Sequence, residues 1–233
     1  MERDNSLSIL GEGTISGGEY SKISVNGEAT TIGSIKCEVL KVNGECSIKE
    51  DFVAEQIKIR GEVIADKVVK TENIKVNGEV EFNSQCSLGD VSILGEAKYK
   101  DNMSFNNYKN LGEITAYKDC EGQSFISTGE VDIRGLLSAD NIEIKLNGES
   151  FINEIGGSKI DISVKRNLFS RRYVMRCNII EGDEVILENT VADVVRGINV
   201  KILKGCTIKK VEYTNSIEVD KDSIVKEEVC QKN

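Results

Sequence analysis

Ile74-Lys75-Val76-Asn77-Gly78-Glu79 is the cleanest copy of a unit that recurs through the first part of the chain. Its closing dipeptide returns as Gly27-Glu28, Gly44-Glu45, Gly61-Glu62, Gly78-Glu79, Gly95-Glu96, Gly112-Glu113 and Gly129-Glu130, always at the same interval. Seven in-register copies between Ile23 and Leu146 mark a structural repeat, which has to be read before any single residue.

Counted from each Gly, large apolar residues recur at offset 13 (Leu40, Ile57, Ile74, Val91, Tyr108, Phe125, Ile142). Their partners at offset 15 are Val42, Ile59, Val76, Ile93, Asn110, Ser127 and Ile144. Further pairs follow the Gly, such as Val80/Phe82 and then Cys86/Leu88 in one unit, or Val131/Ile133 and then Leu137/Ala139 in another. A spacing of two is the strand period, with alternate side chains on one face. Three short strands and three corners account for one repeat. Each copy is therefore one coil of a three-sided β-solenoid with about 17 residues per coil. A helical repeat is excluded because residues two apart do not share a helix face. The abundance of Val, Ile, Thr, Asn and Gly also favours strands and turns.

The repeated Gly is expected to supply a corner at positive φ, which Gly adopts without steric cost. Asn precedes it at Asn26, Asn43, Asn77 and Asn147, a favoured turn dipeptide. Stacking would place Glu28, Glu45, Glu62, Glu79, Glu96, Glu113 and Glu130 in a column about 4.8 Å apart. Lys41, Lys58, Lys75 and Lys109 are the nearby cations expected to offset it, leaving a solvated edge. The alternative is a stripe for cations or a basic partner.

The net charge of −9 disfavours nucleic acid and anionic membranes as partners of the whole surface. Met1-Glu2-Arg3-Asp4-Asn5 lacks the apolar run of a signal peptide, and no stretch approaches a membrane span. The protein is therefore expected in the cytoplasm, reaching a membrane only through partners. The seven cysteines form no Cys-x-x-Cys pair, and Cys37, Cys46, Cys86 and Cys120 fall on inward positions. Cys86 and Cys120 lie two coils apart, too far for a disulfide. They are expected to be buried free thiols of a reducing compartment.

Along the chain, residues 1–149 form the regular solenoid, although the first step, from Gly11 to Gly27, falls one position short of the repeat. The step from Gly129 to Gly148 is two positions longer than the repeat, which suggests a bulge or a protruding corner. Residues 150–179 are expected as an irregular connecting segment. Its basic residues Lys165, Arg166, Arg171, Arg172 and Arg176 read as a linker or solvated face, the alternative being a docking patch for an acidic partner such as the Glu column of another copy. Residues 180–233 restore strand periodicity in a second, shorter solenoid section and a short tail.

The coil bearing Ile74 to Glu79 resembles the bactofilins, bacterial polymer-forming cytoskeletal proteins. The segment from Ile180-Glu181-Gly182-Asp183 through Ala192-Asp193-Val194-Val195-Arg196-Gly197 to Val211-Glu212-Tyr213 resembles their longer, two-section Gram-positive members. The resemblance implies a right-handed three-sided β-helix that assembles end to end into filaments without nucleotide or other cofactor. It also implies roles in cell shape, envelope synthesis or motility, with partners from those machineries. Two departures stand out. The chain contains no proline, whereas bactofilins often carry proline-rich tails, and Glu2-Arg3-Asp4 stands where some carry an apolar membrane-targeting segment.

Catalysis is not expected. Solenoid acyltransferases rely on a histidine base, and this chain has no histidine. Phosphate-loop and dinucleotide motifs are missing as well, so no catalytic, cofactor or metal residues are assigned. Solenoid end coils expose unpaired backbone groups that invite addition of another strand. The expected interface comprises Leu7 and Ile9 at one end and Ile217, Val219 and Val225 at the other, making a homopolymeric scaffold. The competing reading is a monomeric binding module that holds its partner with the basic patch or the Glu column.

Overall fold

The computed structural model describes residues 5–165 and 173–231. Within them the chain is all-β, nineteen strands in one sheet wound as a solenoid of about 13 turns with ~17 residues per turn. Every pairing is parallel, each coil bonding to the one before and the one after.

The offsets read from the sequence become columns. Leu7 stacks on Ile23, then Leu40, Ile57 and Ile74, and the same column continues through Tyr108 and Ile142 to end at Ile217. Its neighbour runs from Ile9 through Val25, Val42 and Val76 to Val219. Interior members of both are almost wholly inaccessible, Ile23 at 0% and Ile74 at 3%. A buried Ile or Val contributes roughly 1.5–3 kcal/mol. Because each coil touches only its neighbours, that gain repeats rung by rung. The widest side chains sit mid-rod, where Phe82 stacks on Tyr99 and Tyr108 on Phe125, both at 5.3 Å. The Tyr99 and Tyr108 hydroxyls meet at 3.0 Å and satisfy each other across the buried interior.

The polar pair Asn110 and Ser127 occupies inward positions where other coils carry Val, Ile or Leu, and its hydrogen bonds explain why it can. Asn110 donates from Nδ2 to Ser127 Oγ and to the Glu130 carbonyl, each at 3.0 Å, while its Oδ1 accepts the Gly112 N–H at 3.1 Å. With these bonds made, both residues are tolerated at 0% exposure.

The repeated glycines correct the expectation of positive φ. Among the described residues only Gly18, Gly33, Gly205 and the non-glycine Asn189 have it, and none belongs to the Gly-Glu column. The reason for glycine there is close stacking. The Glu79 N–H donates to the Gly61 carbonyl at 2.9 Å, drawing successive corners together. A Cβ on Gly78 would overlap that same Gly61 oxygen, and the clash repeats at Gly44, Gly61, Gly95, Gly112 and Gly129.

The lengthened step shows as a register shift between Ile133 and Leu136, after which partners such as Ile142 and Ile160 lie one position further apart than the repeat. The ladder does not stop at residue 149. The strand Ser150–Val164 pairs with Glu130–Leu146 on one side and Met175–Leu187 on the other. Much of the expected connecting segment is thus ordinary coil. The next step is tighter, Val185 pairing with Val200 two positions short of the repeat, and the full repeat returns by Val200 with Ile217.

Candidate functional site

Among the described residues, the two ends of the rod are where this fold leaves strand edges unpaired. At the amino-terminal end the strand Ser6–Ile9 pairs only with Glu12–Val25 among the described residues. Leu7 and Ile9 are half-buried and packed against the core, as is Tyr20, whose hydroxyl donates to the Ser16 carbonyl at 2.8 Å. At the carboxy-terminal end the strand Ile224–Cys230 pairs only with Thr207–Val219 among the described residues. Ile217 and Val225 pack against the core there, while Val219 is 38% exposed. The five expected interface residues therefore fall on two separate faces. Leu7 and Ile217 close one column, Ile9 and Val219 close another, and twelve steps of about 4.8 Å separate the faces by roughly 60 Å. Ile224, 59% exposed on the last strand, carries no mark in the sequence, because no further rung follows to reveal its position in the period.

Of the candidate docking patch, Arg166, Arg171 and Arg172 lie outside the described residues. Lys165 is exposed at the end of its coil, its N–H donating to the Leu146 carbonyl at 3.1 Å. Arg176 is exposed on the next coil, beside a shallow cleft lined by Glu113, Glu130, Asp132 and Glu149. Near Val164 and Tyr173, the buried Glu188 accepts the Val164 N–H at 3.0 Å and faces Lys204 Nζ at 3.6 Å. Asn189 donates to the Tyr173 carbonyl at 3.2 Å. These side chains replace the backbone partners that a regular coil would supply.

The Glu column forms as expected and extends to Glu12, all members in register and exposed. The lysines do not offset it by direct pairing. Lys41, Lys58 and Lys75 stack on one another as a column of their own. Among the described residues no ion pair joins them to the glutamates, and no three of His, Cys, Asp or Glu converge as metal ligands. Charge pairing occurs instead on another corner, where Lys49 reaches Asp66 at 2.9 Å and Asn83 donates to the same carboxylate at 2.8 Å. Those two bonds hold the Asp66 carboxyl below its ordinary pKa.

All seven thiols are free, six of them buried and Cys230 exposed. Burial pushes the Cys37 thiol up to about 12 and that of Cys46 to about 11, so neither is a thiolate nucleophile near neutrality.

One groove is not legible in the repeat. A hollow of about 640 Å³ lies over Gly156, Gly157, Gly182 and Gly197, where stacked glycines leave no side chains on the corner. Arg196 crosses it, donating to Glu212 at 2.7 Å and to Glu181 at 3.3 Å. The guanidinium is thus committed between two carboxylates of flanking coils. The alignment of Gly182 with Gly197 at the shorter step is the available signal.

Against known proteins, the chain is 42% identical over 95 residues to the uncharacterized protein YhbF of Bacillus subtilis (strain 168), an alignment covering 40% of this chain and 40% of the relative. It is 36% identical over 99 residues to the uncharacterized protein YhbE of the same organism, covering 40% and 42%. The chain thus spans about two fifths of the length of the curated relatives it matches. No family model and no solved structure matches.

Proposed function

We propose that this protein is a non-enzymatic scaffold that assembles end to end into filaments without nucleotide, in the manner of the bactofilins its coils resemble. The observation that carries the reading is the pair of terminal rungs, each with one strand edge open among the described residues and half-exposed column ends. Addition of another copy would satisfy those backbone groups and bury Leu7, Ile9, Ile217, Val219 and Val225. Its partner is first of all itself, and envelope or motility machinery would be organised along the polymer. The expected site of action is the cytoplasm. No helix of the described residues is long and apolar enough to cross a membrane.

The test is negative-stain microscopy and sedimentation of the purified protein at micromolar concentration, without nucleotide. Filaments are expected from the parent. Leu7→Lys and Val219→Lys should each remove them while circular dichroism keeps its β signal. A parent that stays a single copy at high concentration would overturn the reading in favour of a monomeric binding module.

A further inference from the structure

The last coil departs from the others at one inward position. Leu137, Ile155, Ile180, Val195 and Val211 stack in a single column, each no more than 1% exposed. The next residue in register is Glu228. It is exposed, and among the described residues no ion pair involves it, since Lys210 reaches Glu212 and Glu227 instead. Among the described residues the opposite end carries no such charge, its terminal inward residues being Leu7, Ile9, Gly13, Ile15, Gly18 and Tyr20.

We propose that Glu228 gates the carboxy-terminal face, so that copies of this chain join first through their amino-terminal faces and lengthen into chains only by a second, weaker joint. This rests on the end-to-end reading above. A copy seated on the carboxy-terminal face strips water from a carboxylate that sits on Val211, which is unfavourable without a partner charge. Inward charge on an open edge is a known means of preventing strand addition. If the covering face is another carboxy-terminal face, two glutamates approach and repel. If it is an amino-terminal face, Glu228 meets Gly18, which offers no side chain to pair with it. Only the joint between two amino-terminal faces avoids the carboxylate. That joint is isologous, each copy offering Leu7 and Ile9 to the other, and it closes after two copies.

The experiment is sedimentation velocity across a wide concentration range for the parent, Glu228→Gln, Glu228→Val and Leu7→Lys, with circular dichroism to monitor folding. The parent should show a two-copy particle before any longer species. Glu228→Val should shift the onset of long chains to protein concentrations on the order of tenfold lower, with Glu228→Gln in between. Leu7→Lys should remove the two-copy particle. Superimposable distributions for the parent and Glu228→Val would overturn the gate while leaving end-to-end assembly standing. So would a two-copy particle that survives Leu7→Lys. Failure of every form to associate would instead overturn the end-to-end reading and the gate with it.

Discussion

The regular coils and the coils after residue 175 turn the same corner in different ways. In the first region the corner is Gly-Glu with φ in ordinary territory, and glycine is required because a neighbouring carbonyl occupies the space of a Cβ. In the later region one step is two positions shorter and the repeat length is then regained, while the corner passes through Asn189 at φ 47° and Gly205 at φ 79°. Asn tolerates the left-handed region better than most residues, and Gly enters it freely. The later corners therefore need backbone curvature, whereas the Gly-Glu corners need only clearance. A glycine column in a solenoid can report packing distance and say nothing about dihedral angle.

The largest effect should come from charge in the core, and it should not distinguish the regions. Ile74→Asp and Ile180→Asp each bury an unpaired carboxylate, at a cost of about 3–5 kcal/mol. Thermal unfolding measures the loss, and hydrogen exchange should show it first in the flanking rungs. A parent-like melting curve for either variant would break the inward assignment of that column.

Next in size is the glycine corner. Gly78→Ala and Gly78→Asn should destabilise alike, by about 1–3 kcal/mol as overpacking does. Had positive φ been the reason, Asn would be the milder replacement. A clear advantage for Asn in denaturant titrations would restore the conformational explanation.

The later corner should give the opposite pattern. Asn189→Ala places an ordinary side chain in the left-handed region, at about 1–2 kcal/mol. Asn189→Gly should be milder, losing only the bond to the Tyr173 carbonyl. Equal losses would mean that the side-chain bond, not the dihedral, holds this corner.

Smaller still is the acid response of the Asp66 rung. Its carboxyl is held below the ordinary value by hydrogen bonds from Lys49 and Asn83. Such a group stabilises the fold above the usual carboxylate pKa, and the benefit is lost as pH falls through its lowered folded value. Asp66→Asn should therefore flatten the acid limb of a stability–pH curve. The smallest effect is expected at the Glu column, where Glu62→Gln relieves like-charge contacts with Glu45 and Glu79. The melting temperature should rise by about 1–2 °C at low salt and stay unchanged at high salt. A fall in stability would show the column to be held by something other than solvent.

The repeat determined the coil, its inward columns and the burial of Cys37, Cys46, Cys86 and Cys120, because a strict period leaves only one way to stack pairs spaced by two. It also placed Leu7, Ile9, Ile217 and Val219 on the correct columns, since their spacing continues the same strand pattern. Three features were decided only by the tertiary structure. The reason for glycine at Gly78 depends on Gly61, a full coil earlier, whose oxygen no local pattern reveals. The path of residues 154–164 depends on a register that shifts after Ile133 to one position longer than the repeat, which the lengthened step from Gly129 to Gly148 does not by itself reveal. Glu228 looks like one charge among several in Lys226-Glu227-Glu228, and it becomes the end of an apolar column only when Val211 is seen beside it. Local periodicity fixes which face a side chain takes, whereas contacts between coils fix what that face meets.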